Sequence, residues 1–578
     1  MFDALFTTTT EYKKLSHALS GKGACALFGL PASGRAQVYA ALCRQLDKPL
    51  CIVTPGEAEA TRFAADLNTL GIPAAVFPAR DYVLRPIEGT AREYEYRRLA
   101  VLGELVGGRL RAVAVPAEAL TQFTTPKEDF CANTRTLHAG DTLLRDDLLA
   151  ALFGAGYTRR AQVDGPGQFS VRGDIVDIFA PDQKMPVRME FWGDEIDTLH
   201  TFDLTTQRRE DAIDKFYLSP AREVLFGKPA DAAEQLRAFL AKQRGKKKTA
   251  MADCMAADLD LLDGGAVPVN MDKYLAVRYP HPATVLDYFD DPILVAEEPA
   301  SIREADRATA YRRGEELKSL ILDGVLCAGL DNLYADPSYL WSKTGHYRTI
   351  CAENFARSMP DQPLKDIINT PAHALPAWNG EVAGLLEDLK PLCDAGYTVT
   401  LLAGTDRAAA GLARDLRDKG ILVTTDAAAA PAAGLVQVLA GHLSAGCEFP
   451  FAKYALLTGR AFGETSSQKK KRKKAKDALN SLTEITPGDL VVHQNHGIGR
   501  YAGIQRMAVQ GVTKDYLRIE YDKKDVLYVP VTQLDLLSRY TAPGDSENVK
   551  LSRLGGAEWT KTRKKAVSYT HLTLPTSD

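Results

Sequence analysis

No segment of the 578-residue chain approaches the roughly 20 consecutive apolar positions that cross a bilayer as a helix. Nor does the amino end combine a basic flank, an apolar run and a small-residue cleavage site, so the cytoplasm is the expected location. Cysteine is sparse: nine residues from Cys25 to Cys447, without a CxxC pair, and an odd number argues against a disulfide framework. Reduced, mostly buried thiols are expected. An excess of one charge is missing too, since 71 basic and 74 acidic residues leave a net charge of -3. Global charge therefore gives no pointer to nucleic acid, although seven of the eight residues from Lys469 to Lys476 are Lys or Arg. Finally, no intact GxxxxGK[ST] phosphate loop occurs anywhere in the chain.

What is present is the composition of ordinary globular domains, 45% hydrophobic and 25% charged. At roughly 100–200 residues per domain, the length implies about three to five units. Short apolar runs at 24–28, 50–54, 74–77 and 112–115 alternate with helical stretches at 37–46, 57–70 and 92–106. That rhythm predicts βαβ units around a mainly parallel sheet. Between 158 and 203 the pattern shifts to closely spaced β segments with turn signals at Asp164-Gly165-Pro166-Gly167 and Gly193-Asp194. After a basic turn at 245–248, the apolar run 293–296 and the helical stretch 301–320 return to α/β character and are expected to complete the first sheet. A further α/β unit follows, with helices at 382–393 and 407–419 around a buried strand at 398–403.

The basic run and its polar flank read as a solvated linker. Beyond it, about five short strands predict a small barrel. Helical residues 558–566 then run into 567–575, which has no helical face and reads as translated adapter sequence foreign to the fold. The expected organisation is a multidomain α/β chain. Residues 1–130 and 226–365 form one α/β domain with a degenerate phosphate loop, interrupted by a β-rich module at 131–225. A small α/β domain (366–464), a basic linker (465–485), a β barrel (486–545), the start of a further unit (546–566) and the foreign tail (567–578) complete it.

Gly29-Leu30-Pro31-Ala32-Ser33-Gly34-Arg35-Ala36 lies between an apolar strand and a helix, the context of a phosphate loop. Its chemistry departs twice. Such a loop needs a Lys to reach the β- and γ-phosphates and a Ser or Thr hydroxyl to hold magnesium, and here those positions are Arg35 and Ala36. Arg keeps the charge on a bulkier planar fork, while Ala removes the metal ligand. A loop that shapes the fold is expected, with no catalytic residue.

Tyr157-Thr158-Arg159, the run from Gly167 through Gln168-Phe169-Ser170-Val171-Arg172 to Phe179, and Arg188-Met189-Glu190-Phe191-Trp192-Gly193 resemble the UvrB-homology module of bacterial transcription-repair coupling factors. Strand alternation puts Val187, Met189 and Phe191 on one face and Arg188 and Glu190 on the other, predicting an exposed Arg/Glu stripe. The resemblance implies that Arg159, Phe169, Arg172, Arg188 and Glu190 contact UvrA, with Ser170 replacing one arginine of the family pattern. The chain from Phe77 to Glu95 lacks the long aromatic hairpin with which UvrB grips DNA, so direct damage verification is not expected.

Gly488-Asp489-Leu490-Val491-Val492-His493, His496-Gly497-Ile498-Gly499-Arg500-Tyr501 and Tyr516-Leu517-Arg518-Ile519-Glu520-Tyr521 resemble the CarD-like domain of the same family. This implies attachment to the RNA polymerase β subunit by strand-edge addition, with Ile504, Arg506, Met507 and Tyr516 at the contact. His493 and His496 have no further ligand at a useful spacing, so no metal is expected. In the resembling family an ATP- and magnesium-dependent motor on double-stranded DNA follows the barrel, and Leu554-Gly555-Gly556-Ala557-Glu558-Trp559 resembles its threshold. The chain is thus expected to be an adaptor in transcription-coupled nucleotide-excision repair, joining RNA polymerase to UvrA and holding no cofactor of its own. The rivals are an active phosphate-loop ATPase and a CarD-like transcription regulator, the latter leaving the first 460 residues unexplained.

Overall fold

The computed structural model describes residues 8–86, 92–356, 362–378, 382–430, 432–459, 487–493, 496–509, 512–522, 525–530, 537–539 and 551–552. The side chains at 383, 506–509, 512–516, 530 and 538–539 are not among those described. The basic run at 469–476, the helical stretch 558–566, the motor-like motif at 554–559 and the tail from 567 also lie outside the described residues.

A seven-stranded parallel sheet forms the first unit. Its order is Leu364–Asn369, Gly23–Phe28, Arg348–Glu353, Ile293–Glu297, Leu50–Thr54, Ala112–Pro116 and Ala74–Val76. Its central strands are apolar on both faces, as a sheet covered on each side by helices requires. Cys25, Ile52 and Val295 face one core, and Cys51, Val53 and Leu294 face the other. Ile293–Glu297 joins the sheet between Leu50–Thr54 and Arg348–Glu353, so residues far apart in sequence complete one structure.

The segment expected to be a basic turn at 245–248 is instead the first turn of the helix Gly245–Asp263. Cations at a helix amino end oppose the macrodipole. Burial of Met251, Met255 and Leu262 against a third core outweighs that cost and forms the helix.

The inserted module is a six-stranded sheet ordered Arg209–Ala212, Glu195–Phe202, Val187–Trp192, Ile175–Phe179, Gln168–Arg172 and Thr158–Arg159. Only the last pairing is parallel. The helix Arg145–Gly154 covers the apolar face through Leu148 and Leu152, with Phe153 meeting Phe169 edge-on at 5.3 Å between centroids. The opposite face carries Asp177, Arg188 and Glu190 beside a small buried cluster of Val163, Phe179 and Phe202. Where the module re-enters its host, Arg98 is wholly buried and grips Glu223 through two hydrogen bonds of 2.7 and 3.2 Å. Arg80 does the same to Asp272 and also faces Glu223 at 3.1 Å, so a closed ion network holds the junction.

A second α/β unit has the strand order His373–Leu375, Gly446–Phe449, Tyr454–Thr458, Thr398–Leu402, Val436–Leu439 and Val423–Thr424. It is packed onto the first: Cys447, Phe449, Tyr454 and Leu456 share a core with the helix Ala32–Leu46. The chain then forms a five-stranded antiparallel sheet ordered Val526–Pro530, Val512–Glu520, Gly497–Val509, Leu490–His493 and Leu537–Arg539. All nine thiols are unbridged, and six of them are buried.

Candidate docking surfaces

On the polar face of the module, the alternation of buried Val176 and Ile178 turns Asp177 toward Arg188, its register partner on the next strand. Arg188 donates from Nε to one Asp177 oxygen at 2.7 Å and from its terminal nitrogen to the other at 2.9 Å. Arg172 donates to Asp177 Oδ2 at 2.6 Å from the opposite side. One buried carboxylate therefore holds two guanidinium groups, and it is the organising residue that sequence reasoning missed. Its signal was present: an acid at a strand position whose neighbours on both sides are apolar.

The two arginines are not equivalent. Arg172 keeps 47% of its side chain exposed, whereas Arg188 keeps 11% and lies over the Phe202 ring at 4.8 Å. The hydrogen bond to Asp177, working against desolvation, raises the Arg188 pKa above the ordinary guanidinium value. The expected open Arg/Glu stripe is corrected accordingly: Arg188 is mostly enclosed, and Glu190 accepts from Arg209 and from Thr198 at 3.2 Å. Arg159 is exposed at the edge strand.

Phe169 does not belong to this face. Its ring is fully buried in the module core, because residues 169 and 172 point to opposite sides of one strand. Ser170 is buried too, and its hydroxyl has no hydrogen-bond partner among the described residues. Trp192 belongs to the same strand motif as Arg188 and Glu190. It shares the strand face of Arg188 and Glu190 and is 83% exposed before the tight Gly193 turn, where φ is +65°.

In the carboxy-terminal sheet, Gly497–Val509 is much longer than its neighbour Leu490–His493, which pairs only as far as Arg500. Tyr501 exchanges backbone hydrogen bonds with Gly488 and Asp489. From residue 503 to 509 the strand is paired to Val512–Glu520 on one side, and no described strand covers the other. Ile504 lies on this stretch and is 46% exposed. Arg506 and Met507 share it, and Tyr516 is the register partner of Gln505, but these three side chains are outside the described set.

The Gly29–Ala36 turn is enclosed. Gly29 has φ +86°, and a side chain there would meet Asn369 and Thr370. Ser33 donates to the Gly446 carbonyl at 3.2 Å, and a Cβ on Gly34 would stand 2.8 Å from the Cys447 sulfur. Arg35 turns inward, with Nε 3.1 Å from Glu297 and a terminal nitrogen 2.8 Å from Glu298. Burial alone would lower the Arg35 pKa, but Glu297, Tyr39 and Glu298 together raise it. Ala36 is fully buried.

The carboxy-terminal sheet also meets the first unit. His496 Nε2 lies 3.1 Å from Glu93 Oε1 at the start of the helix Glu93–Val106, and the His493 and His496 rings are 4.7 Å apart. Burial pushes the His493 pKa down to about 4, with Glu93 opposing and His496 reinforcing the shift. For Glu93, burial raises the pKa, but the hydrogen bond with His496 and the charges of both histidines outweigh it and hold the carboxyl at about 2.

Two family models match the chain: a UvrB interaction domain over residues 136–224 and a CarD-like/TRCF RID domain over residues 485–541. Curated proteins named transcription-repair-coupling factor are similar along nearly all of it. The protein from Bacillus subtilis is 28% identical over 554 residues, covering 93% of this chain and 47% of that protein. Those from Staphylococcus haemolyticus and Staphylococcus aureus are 28% and 26% identical over 555 and 551 residues, with the same coverage. The chain spans about half the length of the curated relatives it matches. No helix of the described residues is long and apolar enough to cross a membrane.

Proposed function

We propose that this chain is a physical link in transcription-coupled nucleotide-excision repair, holding RNA polymerase through its carboxy-terminal sheet and UvrA through the polar face of its inserted module. The observation that carries this reading is the presence on one chain of matches to a UvrB interaction domain and to a CarD-like/TRCF RID domain. Arg159, Arg172 and Trp192 form the accessible part of the UvrA face, with Asp177 holding Arg172 in place and the mostly enclosed Arg188 and Glu190 beneath them. A large exposed aromatic beside arginine is the residue combination enriched at interface hot spots. On the other partner, the uncovered edge at 503–509 would accept a strand of the polymerase β subunit, since main-chain hydrogen bonds supply affinity in strand addition. Displacement of a stalled polymerase by ATP-driven movement on double-stranded DNA is the activity proposed for a whole protein of this kind.

The Gly29–Ala36 turn is read as a relic phosphate loop that now serves packing. Phosphoryl transfer depends on positioned positive charge and metal. Arg35 is already committed to Glu297 and Glu298, Ala36 offers no hydroxyl, and the strand Gly446–Phe449 lies against the helix start where phosphates would dock. No phosphate release above about 1 per second, the lower end of ordinary turnover, is expected from this chain with or without DNA. Faster release would favour the ATPase reading. The linking role is tested by immobilising RNA polymerase and measuring UvrA capture with and without the chain; capture independent of the chain would refute it.

A further inference from the structure

Sequence spacing gives His493 and His496 no third donor, but the fold brings one from the other end of the chain. Glu93, His493 and His496 present one ligand atom each, all within 4.8 Å of one another. Two imidazoles and a carboxylate are a known zinc donor set, in which water completes a tetrahedron. With bonds of about 2.0–2.2 Å, a tetrahedral ion needs its ligand atoms roughly 3.3 Å apart, so modest side-chain closure suffices.

An ion pair between Glu93 and His496 accounts for only part of the arrangement. It engages Glu93 Oε1, while Oε2 is buried and has no hydrogen-bond partner among the described residues. The Glu93 side chain is only 10% exposed, and leaving a buried carboxylate oxygen without a partner is costly. The Tyr521 hydroxyl, from the carboxy-terminal sheet, is likewise buried without a partner among the described residues. A polar, partly enclosed cluster with spare acceptor capacity at Glu93 Oε2 beside two imidazoles suits a cation. The absence of sulfur from the set and the presence of two nitrogens favour zinc-class ions over magnesium or calcium, which prefer all-oxygen shells.

We propose that Glu93, His493 and His496 form a divalent transition-metal site, selective for Zn2+ among abundant ions, that fastens the carboxy-terminal sheet to the helix Glu93–Val106. Binding there would fix the orientation of the free strand edge relative to the first α/β unit. The inference is independent of the docking roles assigned above, because it concerns contacts inside the chain.

The test uses the whole chain without a histidine tag, stripped of metal by chelator and dialysis, and titrated with Zn2+ in a calorimeter and with Co2+ in a spectrophotometer. One tight equivalent is expected, with the strong visible bands of four-coordinate Co2+ and no thiolate charge-transfer band. Glu93→Gln and His496→Gln should each weaken binding by about 100-fold or more, beyond the loss typical of disturbing an outer ligand partner. Far-ultraviolet circular dichroism of both variants serves as the folding control. If either variant fails to fold, the cobalt spectrum of the unaltered chain decides between nitrogen–oxygen and sulfur ligation. No binding tighter than millimolar, a thiolate spectrum, or undiminished binding in both folded variants would overturn the proposal and leave an ion pair only.

Discussion

Two arginine clusters in this molecule are built from the same chemistry and end in opposite states. At the helix start near residue 35, one guanidinium is sealed between Glu297 and Glu298 beneath a strand of the neighbouring unit. On the module, Asp177 is the sealed partner, and one of its two guanidinium groups reaches solvent. A buried arginine enclosed by carboxylates has little left to offer a ligand. A buried carboxylate shared by two arginines instead presents an oriented cation, its fork fixed by a charge-assisted bond before any partner arrives. The difference lies in which member of the pair is exposed, and that is set by the packing around each cluster rather than by the residue types that compose it.

Breaking the enclosed cluster should have the largest effect. Arg35→Ala leaves the buried Glu297 carboxylate with the Tyr39 hydroxyl as its remaining partner, which costs about 3 kcal/mol, the lower end of the penalty for splitting a buried pair. Urea unfolding of the first unit measures it. Pairing the change with Glu297→Gln should recover most of the loss, and a single-variant cost below about 1 kcal/mol would mean the cluster is not the structural element described.

At the open cluster, Arg172→Glu should weaken UvrA binding at least about tenfold, or roughly 1.4 kcal/mol, with a smaller loss of melting temperature than the same change at Arg188. Arg188→Glu should weaken it as well but also destabilise the module, because that side chain is mostly enclosed. Equal thermal stability of the two variants would erase the distinction drawn between them. On the other docking surface, Ile504→Arg should reduce capture of the polymerase β subunit by about tenfold without unfolding, since a charge would have to be desolvated at the contact. Surface plasmon resonance with immobilised polymerase reads the change.

Asp306 supplies the smallest and oppositely signed case, a buried carboxyl whose nearest cationic influence, Arg313, only partly offsets burial. Burial lifts its pKa from 3.8 to about 6. The folded state therefore holds this proton more tightly than the unfolded state; the associated stability is complete below about 3.8 and is lost as pH rises through about 6. Asp306→Asn should accordingly stabilise the chain by about 1 kcal/mol at pH 7.5, after allowance for solvent screening, and by nothing at pH 3.5. A stabilisation independent of pH would point to a different cause.

Much of the local architecture was legible. The apolar run expected at 293–296 is the strand Ile293–Glu297 within the first sheet, and the helix expected at 407–419 spans Asp406–Asp418. Both carry strong periodic signals. Alternation likewise placed Val187, Met189 and Phe191 inside. The same rule, applied to Phe169 against Arg172, would have kept that ring out of the docking set, where the family likeness had drawn it in. Arg348–Glu353 was not foreseen as a central strand, because its mixed residues are made apolar in effect only by their position between two other strands.

The chain's own residues, then, determined the alternation of strands and helices, the side of each strand that turns inward, and the two motifs that resemble docking modules. These follow from backbone geometry and hydrophobic periodicity, which act over a few neighbouring positions. Only the tertiary structure decided where the charges and donors ended. Arg35 found its acids at and just beyond the end of a central strand that comes much later in the chain, and His496 found Glu93 from the opposite end. Coulomb and hydrogen-bond energies depend on separation in space and on local burial, and sequence distance carries neither quantity.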